Sequence, residues 1–171
     1  MTDQAAQTKT DPLALTESDL RAFIGPNADA YVRYHQKCQA KKKLVGSFVW
    51  TAFFFPLIWL AYRKLYFEIV IVVAVAITIG IFQAYVPALE RLETAINVGL
   101  MVGVAVAGRI FVLLRAAKHV GKADAAGLTG EARHLYLADR GGTSWISAAL
   151  VGILMLGIAG AMFYTLSAAW A

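Results

Sequence analysis

The sequence predicts an all-α integral membrane protein. It has three transmembrane helices and an aromatic first apolar segment that is re-entrant or interfacial; four transmembrane helices are the alternative. Three observations carry that reading. Hydrophobic residues make up 59% of the 171-residue chain and charged residues 16%, against about 45–50% and about 25% in a soluble domain. The excess is concentrated, because residues 69–89, 94–108 and 145–171 contain no Asp, Glu, Lys or Arg. Basic residues flank these runs, as they do where charge orients helices in a bilayer.

Residues 1–22 read as a polar, largely disordered tail with one short helix, opened by the Thr16-Glu17-Ser18-Asp19 capping spacing and closed at Gly25-Pro26. Residues 23–43 follow as a short cytoplasmic amphipathic helix, with Asn27 as its cap. Tyr31, Tyr34 or His35, and Cys38 share one face at helical spacing, and lysines populate the rest. Such a helix either lies on the membrane surface or packs on its own loops. Residues 44–66 form the aromatic segment. Its uncharged part, 44–62, is just long enough to span, at about 28 Å of helix for a core about 30 Å thick, but Pro56 interrupts it. Transmembrane helices are expected over 69–89, 94–114 and 145–171, with a basic cytoplasmic loop over 115–144. Trp145 and Trp170 would anchor the last helix at the two interfaces, and Gly141-Gly142 with Thr143 or Ser144 would stop one helix and cap the next.

Charge placement decides between three spans and four. If all four apolar runs cross, Lys41, Lys42 and Lys43 lie opposite Arg63, Lys64 and the basic stretch from Arg115 to Arg140. Positive charge is then split almost evenly, against the positive-inside rule. If the first run bends at Pro56 and returns, those clusters share the cytoplasmic side and only Arg91 faces out, in a net-negative turn. That places the N-terminus inside and the C-terminus outside. The polar, acidic opening of the chain lacks the pattern of a secretory signal peptide.

The net charge of +5 does not read as a nucleic-acid signal, because residues 1–22 are net negative and the basic residues adjoin apolar runs. Lys41, Lys42, Lys43, Arg63 and Lys64 are instead the expected contacts to anionic lipid headgroups. Arg109 stands inside an apolar run as a candidate functional charge, unless its side chain snorkels to the nearby interface. Glu68 offsets Arg63 and Lys64. His35-x-x-Cys38 and Glu131-x-x-His134 have ligand-like spacings, but each lacks the partners a metal needs. Cys38 is the sole cysteine, so no disulfide forms within the chain. No phosphate loop, nucleophile elbow or zinc-protease motif is present. No catalytic residue, cofactor or metal site is therefore expected, nor is an enzyme. Gly99-x-x-x-Gly103, Ala148-x-x-x-Gly152 and Gly157-x-x-x-Ala161 are small-residue pairs suited to close helix packing, within the chain or in a homo-oligomer.

Two stretches resemble a known family. Phe23-Ile-Gly-Pro-Asn-Ala-Asp-Ala-Tyr31, followed by Ser47-Phe-Val-Trp-Thr-Ala-Phe-Phe-Phe-Pro-Leu-Ile-Trp-Leu-Ala-Tyr-Arg-Lys-Leu-Tyr66, is similar to domain of unknown function 2628, a group of small bacterial membrane proteins. Members read Phe-x-Gly-x-Asn, then a Phe-Asn-Trp-x-Ala-Phe-Phe-Phe-Gly-Pro-x-Trp-like block closed by Arg-Lys-Met-Tyr. Here Val49 replaces the usual Asn, the Gly before Pro56 is missing, and Leu65 replaces Met. The likeness is close over residues 23–66 and loose over Gly108–Phe111. It implies a bacterial inner-membrane location and brings no activity with it. The expected function is a non-enzymatic membrane scaffold that binds lipid or a membrane protein partner. The alternative is a small transporter or channel component using Arg109 and the broken first segment.

Overall fold

The computed structural model describes residues 11–86 and 91–169. The tail through residue 10, the segment 87–90 with Pro87, and the Trp170 anchor lie outside them. Among the described residues the chain is helical, with no strand.

Helix α1 (Glu17–Ile24) starts where the Thr16 hydroxyl accepts the Asp19 N–H at 3.2 Å, and ends at Gly25 with φ +70°. Helix α2 (Ala28–Ala40) follows without the expected Asn27 cap. Asn27 takes the left-handed conformation at φ +72° and its side chain makes no capping bond; asparagine is one of the few residues that tolerates this geometry. The predicted face is correct. Tyr31, Tyr34, His35 and Cys38 are all buried, together with Val32, and protein rather than lipid covers them.

Residues 44–62 do not make one helix. They form two short ones, α3 (Trp50–Phe54) and α4 (Pro56–Tyr62), divided at Phe55. Pro56 supplies no N–H and its ring obstructs a continuous helix, so it sits at the start of a new one. Before α3 the chain runs extended against helix α6 (Glu93–Ala125), where the Ser47 and Val49 N–H groups donate to Val106 and Ala105 carbonyls at 3.1 and 3.0 Å. Pro56 reaches down beside Leu100 and Val104, and Trp59 climbs back to lie against Gly108. The segment therefore enters and leaves at the same end of α6.

Three helical stretches, Tyr66–Tyr85, Glu93–Ala125 and Gly130–Thr165, are long and apolar enough to cross a membrane. The first is α5 (Tyr66–Tyr85), and the last owes its apolarity to α8 (Trp145–Ala169). Much of the expected loop over 115–144 is helical. Helix α6 continues to Ala125 because its apolar spacing continues, burying Val112, Leu113, Ala116, Ala117, Val120 and Ala123 on one face. Its 33 residues extend about 50 Å, well beyond a hydrocarbon core of about 30 Å. Helix α7 (Gly130–Arg140) then folds back after Gly127 (φ +66°) and inserts Leu137. Helices α1, α2, α7 and the last turns of α6 thus close a small head around Leu20, Phe23, Ile24, Leu113 and Leu137.

The head is tied to the apolar helices at the turn before α8. The Gly142 N–H donates to the Phe23 carbonyl at 2.7 Å and the Ser144 N–H to the Tyr62 carbonyl at 2.8 Å. Gly141 lies so close to the Phe23 backbone that any β-carbon would collide with it. Ser144 caps α8 as expected, accepting the Ser147 N–H at 3.2 Å.

Candidate functional site

Where the divided aromatic segment meets α2 and α6, aromatic rings and cations lie side by side. Arg109, on α6, donates from Nη1 to the Ser47 hydroxyl at 2.7 Å. Its guanidinium lies 5.9 Å from the Tyr31 ring centre and 5.8 Å from that of Tyr34. Arg63, just past α4, sits 4.7 Å over Tyr31 and 5.8 Å from Tyr62. Tyr62 in turn meets Trp145 edge to face at 4.8 Å. Rings of this kind carry a negative face that attracts a cation, by about 0.5–2 kcal/mol according to desolvation. Burial raises the Tyr31 and Tyr34 phenols above their usual range. Both stay protonated, and Tyr34 donates to the Val45 carbonyl at 2.6 Å.

The residues singled out from sequence fall into two groups. Arg63 and Lys64 are engaged by the protein itself: Arg63 by its rings, Lys64 through a 3.2 Å bond from Nζ to the Asp139 carbonyl. The Lys64 carbonyl also accepts from Arg115 Nη1. Lys41, Lys42 and Lys43 are exposed at the end of α2 and form no ion pair among the described residues. Arg109 is half-buried, held by Ser47 and two tyrosines. Glu68 does not pair with Arg63 or Lys64, and its Oε2 is buried without a hydrogen-bond partner.

Of the ligand-like spacings, His35-x-x-Cys38 has a structural role, whereas Glu131 and His134 are exposed. The His35 ring bonds the Pro12 carbonyl through Nε2 at 3.0 Å, and Cys38 is buried in the head. Among the described residues no three His, Cys, Asp or Glu side chains gather as a metal site would require. Of the small-residue pairs, Gly99, Gly103 and Gly157 face open space, whereas Ala148 is buried and Gly152 lies near Ile58 of α4. The close approaches fall at Gly46, Gly108 and Gly141, against Val106, Trp59 and Phe23.

Sequence reasoning missed the contribution of Arg33, Lys37 and Ser47. Arg33 and Lys37 are four residues apart on the exposed side of α2 and open onto the same cavity as Ser47 and Arg109. Their spacing was the available signal; what Arg109 would face was not. Also missed was Arg133, which bridges Asp19 (2.7 Å) and Asp124 (2.5 Å) to join α1, α6 and α7. The bond from Arg133 holds the Asp19 carboxyl below its ordinary range.

Compared with known proteins, the family described as protein of unknown function (DUF2628) matches residues 21–120. No curated protein and no solved structure matches the chain. The matched stretch contains α2, the divided aromatic segment, α5 and Arg109, and it covers more than half of the 171 residues. The chain belongs to the DUF2628 family of proteins of unknown function.

Proposed function

We propose that the chain is a multi-pass protein of the bacterial inner membrane with α5, α6 and α8 as its spans. Its head and N-terminus would be cytoplasmic and residues 44–62 re-entrant. It acts without enzymatic chemistry, as a scaffold whose basic head binds anionic lipid or a membrane protein partner. One observation carries this reading. The head gathers Arg33, Lys37, Lys41, Lys42, Lys43, Arg63, Lys64 and Arg109 at one end of the apolar helices. Among the described residues none of the eight forms an ion pair. Cations in that position attract anionic headgroups by about 1 kcal/mol each near the surface, and on the cytoplasmic side they satisfy the positive-inside rule.

The test has two parts. A C-terminal reporter active only in the cytoplasm stays silent; activity there overturns the orientation. In vesicles of mixed lipid, the chain enriches anionic over zwitterionic lipid at its surface, and added salt weakens the preference. Equal association with both overturns the scaffold reading's lipid arm, and crosslinking in native membranes then decides its protein arm. Transport through Arg109 and the broken segment is the other reading. Arg109→Leu separates the two: insertion preserved with solute flux lost supports transport.

A further inference from the structure

Between α2, the extended chain before α3, and α6 lies a cavity of about 230 Å³, open on one side. Arg33 and Lys37 line it from α2, Ser47 from the extended segment and Arg109 from α6. No carboxylate lines it. The acid nearest in α2, Asp29, is occupied by Arg21 at 2.7 Å. Arg109 already spends one N–H on Ser47, and the Tyr34 hydroxyl spends its proton on Val45. What the cavity offers is therefore positive charge and guanidinium donors, without a counter-ion from the protein.

Depth narrows the ligand. Arg109 shares the Tyr31 ring with Arg63, Arg63 adjoins Tyr62, and Tyr62 meets Trp145 at the start of α8. Tyrosine and tryptophan at the end of an apolar helix mark the headgroup level of a bilayer. The cavity adjoins that layer through Arg109, the level at which a bilayer carries its lipid phosphates. Arginine matches two phosphate oxygens with a planar fork, and lysine adds a mobile point charge. Three cations also disfavour a cationic ligand and give a neutral one no charge attraction.

We propose that this cavity is a seat for a phosphate group, supplied by the headgroup of an anionic phospholipid, with Arg33, Lys37 and Arg109 as its ligands. The proposal rests on the lipid-binding reading above and sharpens it from a basic face to one site. The seat discriminates by charge and geometry. The lysines at 41–43 contribute only attraction that any anionic surface would feel.

The experiment uses the full chain in phosphatidylcholine vesicles carrying a trace of spin-labelled phosphatidylglycerol or spin-labelled phosphatidylcholine. The measured quantity is the ratio of the two labels immobilised by the protein. Arg33→Gln and Lys37→Gln alter exposed side chains of α2, and helical circular dichroism confirms that each variant folds. Each is expected to lower the phosphatidylglycerol preference about five-fold, the weight of one basic group near an anionic surface. The triple variant Lys41→Gln, Lys42→Gln, Lys43→Gln lowers the preference only at low salt and matches wild type at high salt, where the Arg33 and Lys37 variants still fall short. An unchanged preference in the Arg33 and Lys37 variants overturns the seat. If the triple variant alone abolishes it, the basic face binds lipid without a seat. If wild type shows no preference at all, the wider lipid-binding reading fails as well. A second arm titrates inorganic phosphate at constant ionic strength into the chain in phosphatidylcholine discs. Binding there, lost in Arg33→Gln, keeps the phosphate seat but assigns it to a free anion; no binding leaves the lipid as its source.

Discussion

In the head, apolar side chains see only one another; along α5 and α8 the same residue types are displayed to the surroundings. Leu20, Leu60, Leu113 and Leu137 are fully covered, whereas Leu150 and Leu154 of α8 are each 63% exposed and α5 buries no residue. The difference lies in what separates the apolar side chains. In α1, α2 and α7 charged residues interrupt them at helical spacing, so each helix has one apolar face to hide. In α5 and α8 nothing charged interrupts them after Glu68, and the helices are apolar all round. The head therefore satisfies its apolar residues by close packing, whereas α5 and α8 display theirs on helices long and apolar enough to cross a membrane.

The comparison predicts opposite outcomes for one substitution. Leu137→Ala removes a fully buried side chain from the head and should cost about 2–5 kcal/mol, the transfer loss plus the cavity left behind. Leu154→Ala exchanges one lipid-facing apolar group for another and should stay within about 0.5 kcal/mol. Urea unfolding in bicelles, followed through hydrogen exchange of α1 and α7 amides, measures both. Equal costs would mean that α8 is buried against a partner that shares its surface with Leu154.

How far could these regions be read from sequence? The three long apolar helices were legible because their apolar runs are long and almost free of charge, and no tertiary detail alters that. The division of residues 44–62 was legible at Pro56, whose missing N–H is a local property. The head was only half legible. Its buried face on α2 shows in the spacing of Tyr31, Tyr34 and Cys38, but the continuation of α6 was obscured by charge. Lys118 and Lys122 sit on the open side of a helix whose other side, Val112 through Ala123, remains apolar, and Arg115 turns in to the Lys64 carbonyl. Reading 115–144 as a loop counted charges without asking which face they occupied. For the candidate site, Arg109 stood out because it interrupts an apolar run. Ser47, Arg33 and Lys37 did not, since their meeting depends on the extended stretch before α3 running between α2 and α6.

The head also depends on charge in a way that the spans do not. Arg133 ties Asp19 to Asp124, with the three side chains 10–20% exposed. Asp19→Asn should cost about 1.5–3 kcal/mol, the range for a hydrogen bond to a charged group, while leaving the spans inserted. The pH dependence follows from the lowered Asp19 pKa. The folded head holds the carboxylate more firmly than the unfolded chain does. Its contribution is complete above the ordinary carboxylate range and is lost as pH falls through the lowered folded value. Exchange in α1 should therefore accelerate on acidification in wild type and respond less in Asp19→Asn. Identical acid profiles would remove Arg133 from the account of head stability.

The smallest effect separates two glycines on one helix. A methyl added at Gly108 would lie 2.9 Å from the Trp59 ring, beneath the returning α4, whereas one at Gly103 meets nothing within 4 Å. Gly108→Ala should cost about 1–3 kcal/mol, the usual effect of overpacking, and should loosen Trp59 first. Fluorescence quenching by brominated lipid reads that loosening, with a companion background in which the other tryptophans are replaced by phenylalanine. Gly103→Ala should be neutral or stabilising by up to about 1 kcal/mol, because alanine restricts the unfolded chain and favours the helix. The two results together locate the boundary between the regions on α6 itself. From Val104 toward the head the helix is packed by protein, and beyond it, toward Glu93, both Gly103 and Gly99 face outward. If Gly103→Ala were the more damaging change, that outward face would be occupied by another helix, and the spans would owe their stability to a partner as the head owes its own to α7.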